Sequence, residues 1–452
     1  MIASALSYPD AVPALAGLWD MDEATRDDLL LRAVAQAHTY HFERNTAYRA
    51  TVAARGIGPR IGPEEMPRVL RNTSQAFKSY IDILGTPFPQ DRPSDFVEWL
   101  SEQLSVDIRP TRQRFNGDYR SLEALLKAVE RAYSGLGLEL LVSGGASGRM
   151  AVIPRDKKSS ELALQSFHLS FQRYLGLKGE HSALLLTPQR TRSAVDRMTR
   201  NCLQQTGVAR GQVHFACSFS ARPDQVRVRT GLTYHQGWRG LMEKYLAHPL
   251  ATTFQARLVD PRAMETVVSR LVPAGAHGEK VLLLGSPSRL HTIAMSLLGS
   301  GRTITLVPGS MLATAGGADK VPAQPAAELR RDLQAAFRLS TGEPAPIHDI
   351  YGTAEANWAA VQCVRGNYHI PPWVYAATLD DQDALQTQAR STGQFAFYDP
   401  LGGGDLFPAF FRTADEATLV RGDTCPCGGP GCYLEQGSIR DLSGEARCPR
   451  QE

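Results

Sequence analysis

The sequence predicts an α/β fold built on a mostly parallel sheet. Short apolar runs that suit buried strands alternate with longer runs whose apolar residues recur at helical spacing. A glycine-rich stretch, Ser143 to Arg149, directly follows one of the strands. Beyond Ile347 the character changes to short strands and turns rich in Gly, Pro and aromatic residues. Residues 1–436 therefore read as one core of parallel sheets flanked by helices. It ends in a small β-rich part, 346–436, and 437–452 form a tail.

Residues 22–54 read as one long helix. Leu29, Leu30, Ala33, Val34, Ala37, Tyr40 and Phe42 mark its apolar stripe, and Gly56-Ile57-Gly58-Pro59 ends it. Shorter segments follow at 63–70 and 77–83, separated by Gly and Pro. Residues 95–104 and 122–132 suit amphipathic helices. Leu136, Leu138 and Leu140 alternate with Gly137 and Glu139, so 136–142 reads as a strand with one buried face. Helices are expected over 162–175, 193–206, 238–246, 261–271, 287–298 and 326–337. The apolar runs 183–186, 214–216, 281–284 and 303–307 suit strands between them.

With 452 residues, 43% of them apolar, the chain can bury a large core. The net charge is +3 and the arginines are spread along the sequence, so there is no electrostatic footprint for nucleic acid. No apolar run approaches the roughly 20 residues of a membrane span. Residues 1–20 lack the basic start and apolar run of a secretory signal, so a cytoplasmic location is expected. Seven cysteines, five of them beyond residue 360, do not make a disulfide framework.

Three short motifs carry chemistry. Ser143-Gly144-Gly145-Ala146-Ser147-Gly148 exposes backbone N–H groups and hydroxyls suited to phosphate oxygens. It lacks the Gly-Lys-Ser/Thr of a nucleotide P-loop and the spacing of the dinucleotide fingerprint. Read alone, an ordinary strand-to-loop turn also accounts for it. Ile350-Tyr351-Gly352-Thr353-Ala354-Glu355 ends a strand with a ring that can stack on a flat base and a carboxylate that can hold Mg²⁺ beside phosphates. Phe411-Arg412-Thr413-Ala414-Asp415 places an Asp able to accept both hydroxyls of a ribose; read alone, a solvated Glu at a strand end and an Asp in a turn also account for these two motifs.

In this order and at these spacings the motifs resemble those of the acyl-adenylate-forming superfamily. More narrowly, the chain resembles the acyl-protein synthetases of bacterial luminescence, near the phenylacetate–CoA ligase branch. Gly316-Gly317-Ala318-Asp319-Lys320, Tyr368-His369-Ile370-Pro371-Pro372-Trp373, Gly393-Gln394-Phe395-Ala396 and Cys425-Pro426-Cys427-Gly428 carry the same resemblance, which runs from His41 to the C-terminus. It implies the family's large N-terminal domain and a two-step reaction. A carboxylate attacks the α-phosphate of ATP, giving acyl-AMP and pyrophosphate, and a nucleophile then takes the acyl group. The resemblance implies that Ser143, Gly144, Gly145, Ser147 and Gly148 cradle the phosphates. Tyr351, with Gly352 and Thr353 beside it, lies against adenine, Glu355 binds Mg²⁺ and Asp415 holds the ribose. Ala146, Ala354 and Ala414 depart from the family pattern, and the first two remove a hydroxyl for which Thr353 is the nearest substitute.

The family's mobile C-terminal lobe is expected to be absent or vestigial, since 37 residues follow Asp415. Gly437-Ser438-Ile439-Arg440-Asp441 resembles the hinge that precedes it. Gly444-Glu445-Ala446-Arg447-Cys448 resembles the end of the acyl-protein synthetases, which implies Cys448 as acyl acceptor, with Arg447 favouring its thiolate. Cys425 and Cys427, with Cys363 and His369, supply the thiolates and imidazole of a structural Zn²⁺ site, and Cys432 competes for one position. A tight turn carrying reduced thiols is the other reading. The expected function is ATP-dependent activation of a carboxylic acid, then acyl transfer to a cysteine of the chain's own tail or of a partner protein such as a reductase. Two alternatives stay open: transfer to a small amine or to CoA, and a non-catalytic scaffold derived from such an enzyme. Small residues around 313–317 leave room for an apolar or aromatic acid without naming it.

Overall fold

Five parallel strands form the centre of the structure, a computed structural model. Their order across the sheet is Val213–Ala221, Ser182–Thr191, Val281–Gly285, Met311–Ala315 and Ile347–Tyr351. The structure describes residues 15–83, 89–109, 115, 117, 119–143, 150–229, 237–254, 260–315, 326–422 and 424–442. Every residue of Val281–Gly285 is buried, as a parallel strand covered on both faces requires. From Ile347–Tyr351 the same sheet continues antiparallel through Ala360–Gln362, Tyr368–His369, Tyr433–Leu434, Ala409–Val420, Arg390–Asp399, Tyr375–Leu379 and Leu385–Gln386. The expected α/β architecture is therefore observed. The late strands are not all short, because Arg390–Asp399 and Ala409–Val420 span 10 and 12 residues.

Several elements differ from the sequence expectation. Met311–Ala315 is a buried strand beside Val281–Gly285. Its small residues dilute the apolar run that marks its neighbours. Glu139–Val142 pairs with Val152–Arg155 as a separate antiparallel hairpin. Ile304–Leu306 lies outside the central sheet and pairs with Phe337–Leu339. Asp260–His277 runs through Pro273 instead of ending at 271. Leu271 and Ala274 are both buried in the core there, and that packing outweighs the lost backbone bond.

The first helix is two helices, Glu23–Arg44 and Thr46–Ala54. Asn45 breaks it by adopting extended backbone, and its side chain accepts from Tyr48 N at 2.8 Å. The same side chain donates to the Gln103 carbonyl at 2.8 Å. A polar side chain that satisfies a helix start and a distant carbonyl together outweighs the apolar periodicity running through it. Asn45→Ala is expected to lower stability by about 1–3 kcal/mol, the sum of a lost cap and an orphaned carbonyl. Denaturant midpoints check this; an unchanged midpoint means the break does not depend on the cap.

The largest apolar cluster joins the N-terminal helices and the hairpin to the antiparallel half of the sheet, with Trp99, Trp358, Trp373, Phe96 and Phe395 among its buried members. Among the described residues no helix is long and apolar enough to cross a membrane.

Candidate functional site

Two of the residues singled out by sequence, Tyr351 and Asp415, meet at the carboxyl end of Ile347–Tyr351, the end at which open parallel sheets bind ligands. Tyr351 closes that strand, and its hydroxyl donates to Asp415 Oδ2 at 2.6 Å. Asp415 comes from the antiparallel half, on Ala409–Val420. The pairing of that strand with Arg390–Asp399 shifts between Gln394 and Ala396. The Thr413 hydroxyl fills the irregularity, donating to the Phe395 carbonyl at 3.0 Å and accepting from Asp415 N at 3.1 Å. Such a bulge re-aims the side chain beside it. Burial pushes the Asp415 carboxyl above its ordinary pKa, the Tyr351 hydroxyl works against this, and Asp441, its partner in the strand register, adds to it. Thr353 Oγ1 is buried with no hydrogen-bond partner, the state of a hydroxyl with a bond still to make.

Glu355 is 3% exposed and lies among three cations. Lys78, 7% exposed, places Nζ 3.5 Å from Glu355 Oε1 and donates to the Thr73 carbonyl at 2.7 Å. Arg155 Nη2 holds the carbonyls of Ala354, Glu355 and Ala356 at 3.2, 3.2 and 3.3 Å. Burial pulls the Arg155 and Arg71 guanidiniums down to about 10, and the Glu355 charge works against that in both. Phe77, next to Lys78, has φ 57°. A buried aromatic in the left-handed region is strained backbone, held here by its packing on Phe407, ring centres 4.7 Å apart. Lys78 and Arg155 were not flagged by sequence reasoning, and the strain at Phe77 has no signature in the sequence. Glu355 Oε1 accepts no hydrogen bond. That oxygen faces the Lys78 ammonium at 3.5 Å, so a Mg²⁺ bound there, with phosphate oxygens and water filling its shell, would share the carboxylate with Lys78.

Ser143 stands at the neck of the hairpin. Its hydroxyl accepts from Ala151 N at 2.9 Å and so keeps its own proton to donate. Buried Arg192 anchors that neck: it donates to the Leu140 carbonyl and Glu123, both within 2.8 Å, and its own carbonyl accepts from Val142 N at 2.8 Å. Gly144, Gly145, Ser147 and Gly148 lie outside the described residues, as do Gly316 to Lys320 and Cys448. Two residues before Tyr351, Asp349 accepts from Thr314 Oγ1 and from the Tyr368 hydroxyl. Asp349 thus lies beside the motif residues at this edge.

A second cluster brings Cys363, His369, Cys425 and Cys427 together, with their ligand atoms all within 4.8 Å of one another. Cys363 Sγ lies 3.9 Å from Cys425 Sγ, and Cys427 Sγ lies 3.2 Å from His369 Nε2. Zinc–sulfur bonds of about 2.3 Å in a tetrahedron set sulfurs about 3.8 Å apart, so the spacing fits. Asn367 Nδ2 approaches Cys425 Sγ at 3.4 Å and Gly429 N approaches Cys427 Sγ at 3.3 Å, the outer hydrogen bonds such thiolates need. A Cβ on Gly429 would lie 2.7 Å from His369 Cε1, so a larger residue there would push the imidazole out of place. Cys432, the competitor, is not in the cluster.

The fold is similar to that of 2-hydroxyisobutyryl-CoA ligase. Similar solved structures include 2-hydroxyisobutyryl-CoA ligase in an open conformation in complex with 2-HIB-AMP and CoA, at TM-score 0.54 and 12% identity, covering 92% of this chain and 74% of that one. The same ligase in its thioesterification state, with 2-HIB-AMP and CoA, gives TM-score 0.54 and 12% identity over 93% and 69%. In the postadenylation state, with 2-HIB-AMP, it gives 0.52 and 11% over 92% and 67%. No family model and no curated protein matches the sequence.

Proposed function

We propose that this chain activates a carboxylic acid with ATP. The observation that carries the reading is the meeting of Tyr351 and Asp415 at the end of a parallel strand, with Glu355 and its cations following directly in the chain. Tyr351 offers a face to adenine and Asp415 accepts from the ribose hydroxyls. Ser143 and the glycine-rich segment donate to the phosphates. Glu355 would hold Mg²⁺, which neutralises phosphate charge when bound. The substrate carboxylate attacks the α-phosphorus, the bond to the β-phosphate oxygen breaks, and pyrophosphate leaves. Fixing these groups in line and neutralising their charge supplies most of the rate.

The acyl group then passes to a thiol: the sulfur attacks the acyl carbon and AMP departs. Cys448 is the acceptor in this reading, or a cysteine of a partner protein such as a reductase. CoA is the second reading, favoured by the likeness to a ligase solved with CoA. The Cys363, His369, Cys425 and Cys427 cluster would hold a structural Zn²⁺.

Exchange of labelled pyrophosphate into ATP, run over fatty and aromatic acids with Mg²⁺, tests the first step. Exchange that depends on one acid class is expected. No exchange with any acid, in folded protein, would move the chain to the scaffold reading. Cys448→Ala should keep exchange and lose acyl labelling of the protein; unchanged labelling excludes Cys448.

A further inference from the structure

We propose that residues 237–254 form a docking face for an anionic lipid surface. Gly237–Met242, Glu243–Ala247 and His248–Phe254 follow one another without a break, as a helix, a π turn and a helix. The side turned to the protein is small or polar. Gly240, Ala247 and Ala251 are half-buried. Glu243 accepts from Arg227, itself buried, through both carboxylate oxygens at 2.7 Å, and His248 Nδ1 lies 2.9 Å from the Val228 carbonyl.

The outward side is apolar. Trp238 is 75% exposed, Tyr245 68%, Leu250 60% and Phe254 58%, with Leu241 and Leu246 about half exposed between them. Helical spacing puts Trp238, Leu241 and Tyr245 on one stripe. In a regular α-helix Leu250 and Phe254 would drift away from it. The π turn takes up about one extra residue and swings them back, so the stripe continues along roughly 27 Å. A surface helix normally turns its apolar stripe inward and its polar side to water. This one does the reverse, and a contiguous exposed apolar stripe marks an interaction site.

Charge selects the occupant. The segment's single carboxylate, Glu243, is engaged by Arg227, while Arg239 and Lys244 are exposed beside the aromatics. Lys244 Nζ lies 5.4 Å from the Tyr245 ring centre. A second copy docked on this face would bring two cation-bearing stripes together with no free carboxylate of the segment to pair them. A bilayer with anionic headgroups satisfies both features. Trp, Tyr, Leu and Phe enter the headgroup boundary, and Lys and Arg keep their charged ends at phosphate level.

The test is flotation of the full chain with vesicles of phosphatidylcholine mixed with phosphatidylglycerol, against phosphatidylcholine alone. Binding to the anionic vesicles is expected, at least about tenfold weaker to the neutral ones and weakened by salt. Tyr245→Glu with Leu250→Glu, both exposed, should keep the parent's circular dichroism and melting temperature and lose at least about tenfold in vesicle binding. Arg239→Glu with Lys244→Glu should lose the preference for anionic lipid. No flotation with either vesicle, equal flotation with both, or full binding by the Tyr245/Leu250 variant overturns the proposal. So does a concentration-dependent dimer broken by that variant in protein that does not bind vesicles, which would assign the face to a second copy.

Discussion

Glu355→Gln is expected to lower pyrophosphate exchange at least about 10²-fold, because in the proposed reading it removes the carboxylate that would hold Mg²⁺ against the phosphates. It has a second effect that must be separated from the first. Lys78 and Glu355 are both buried, 3.5 Å apart. Without the carboxylate, the Lys78 ammonium is left with the Thr73 carbonyl as its hydrogen-bond acceptor. An uncompensated buried charge of this kind costs about 3–5 kcal/mol. Adding Lys78→Met removes that charge, so the double variant should recover most of the lost stability. It should not recover exchange, since the carboxylate is still missing. Thermal melts and exchange rates on the two singles and the double make the comparison. Full exchange in Glu355→Gln would remove Glu355 from the site. Exchange that returns with stability in the double variant would show a purely structural pair.

Purified protein is expected to carry close to one zinc per chain, and Cys425→Ser to carry under about a tenth. The stability effect should exceed that of any other single substitution considered above. Cys363 and Cys425 are 62 residues apart, and Cys427 and His369 are 58 apart, so the ion would close long loops that span the antiparallel half of the sheet. Chelation at elevated temperature should lower the melting temperature of the parent and leave Cys425→Ser unaffected. Parent protein with under about a tenth of an equivalent of zinc and free thiols at all these positions would sink the zinc site, since a closed structural site stays nearly full.

The sequence was most readable where local pattern and final environment agree. The run Val281-Leu282-Leu283-Leu284 reads as a buried strand and is one. The helix over Leu122–Ala132 starts at a Ser121 cap and matches its expected bounds. Cys363, His369, Cys425 and Cys427 were grouped from residue type and spacing, and the fold brings them together. Tyr351 and Asp415 were chosen from separate motifs, and a hydrogen bond joins them. What stayed hidden depends on partners distant in sequence. Lys78 is an ordinary lysine until Phe77 is forced to positive φ and Glu355 comes within reach. Arg155 gains its place only when the chain returns 200 residues later. Asn45 interrupts a helix whose apolar spacing runs straight through it, because its second partner is the Gln103 carbonyl. The segment at 238–246 is readable as helical, but which side it presents depends on Arg227 and its grip on Glu243.

The separations that hide the site also govern when it comes into being. Tyr351 and Asp415 are 64 residues apart, and Arg155 meets Glu355 across 200. Contacts that close such long loops form late on the folding pathway, after helices and neighbouring strands. Asp415 also depends on its bulge, which needs both Arg390–Asp399 and Ala409–Val420 in register. A ligand held between Tyr351 and Asp415 would therefore bind only chains that have finished folding. Its stabilisation would grow with concentration as mass action requires, making the ligand a probe of maturation as well as of the site.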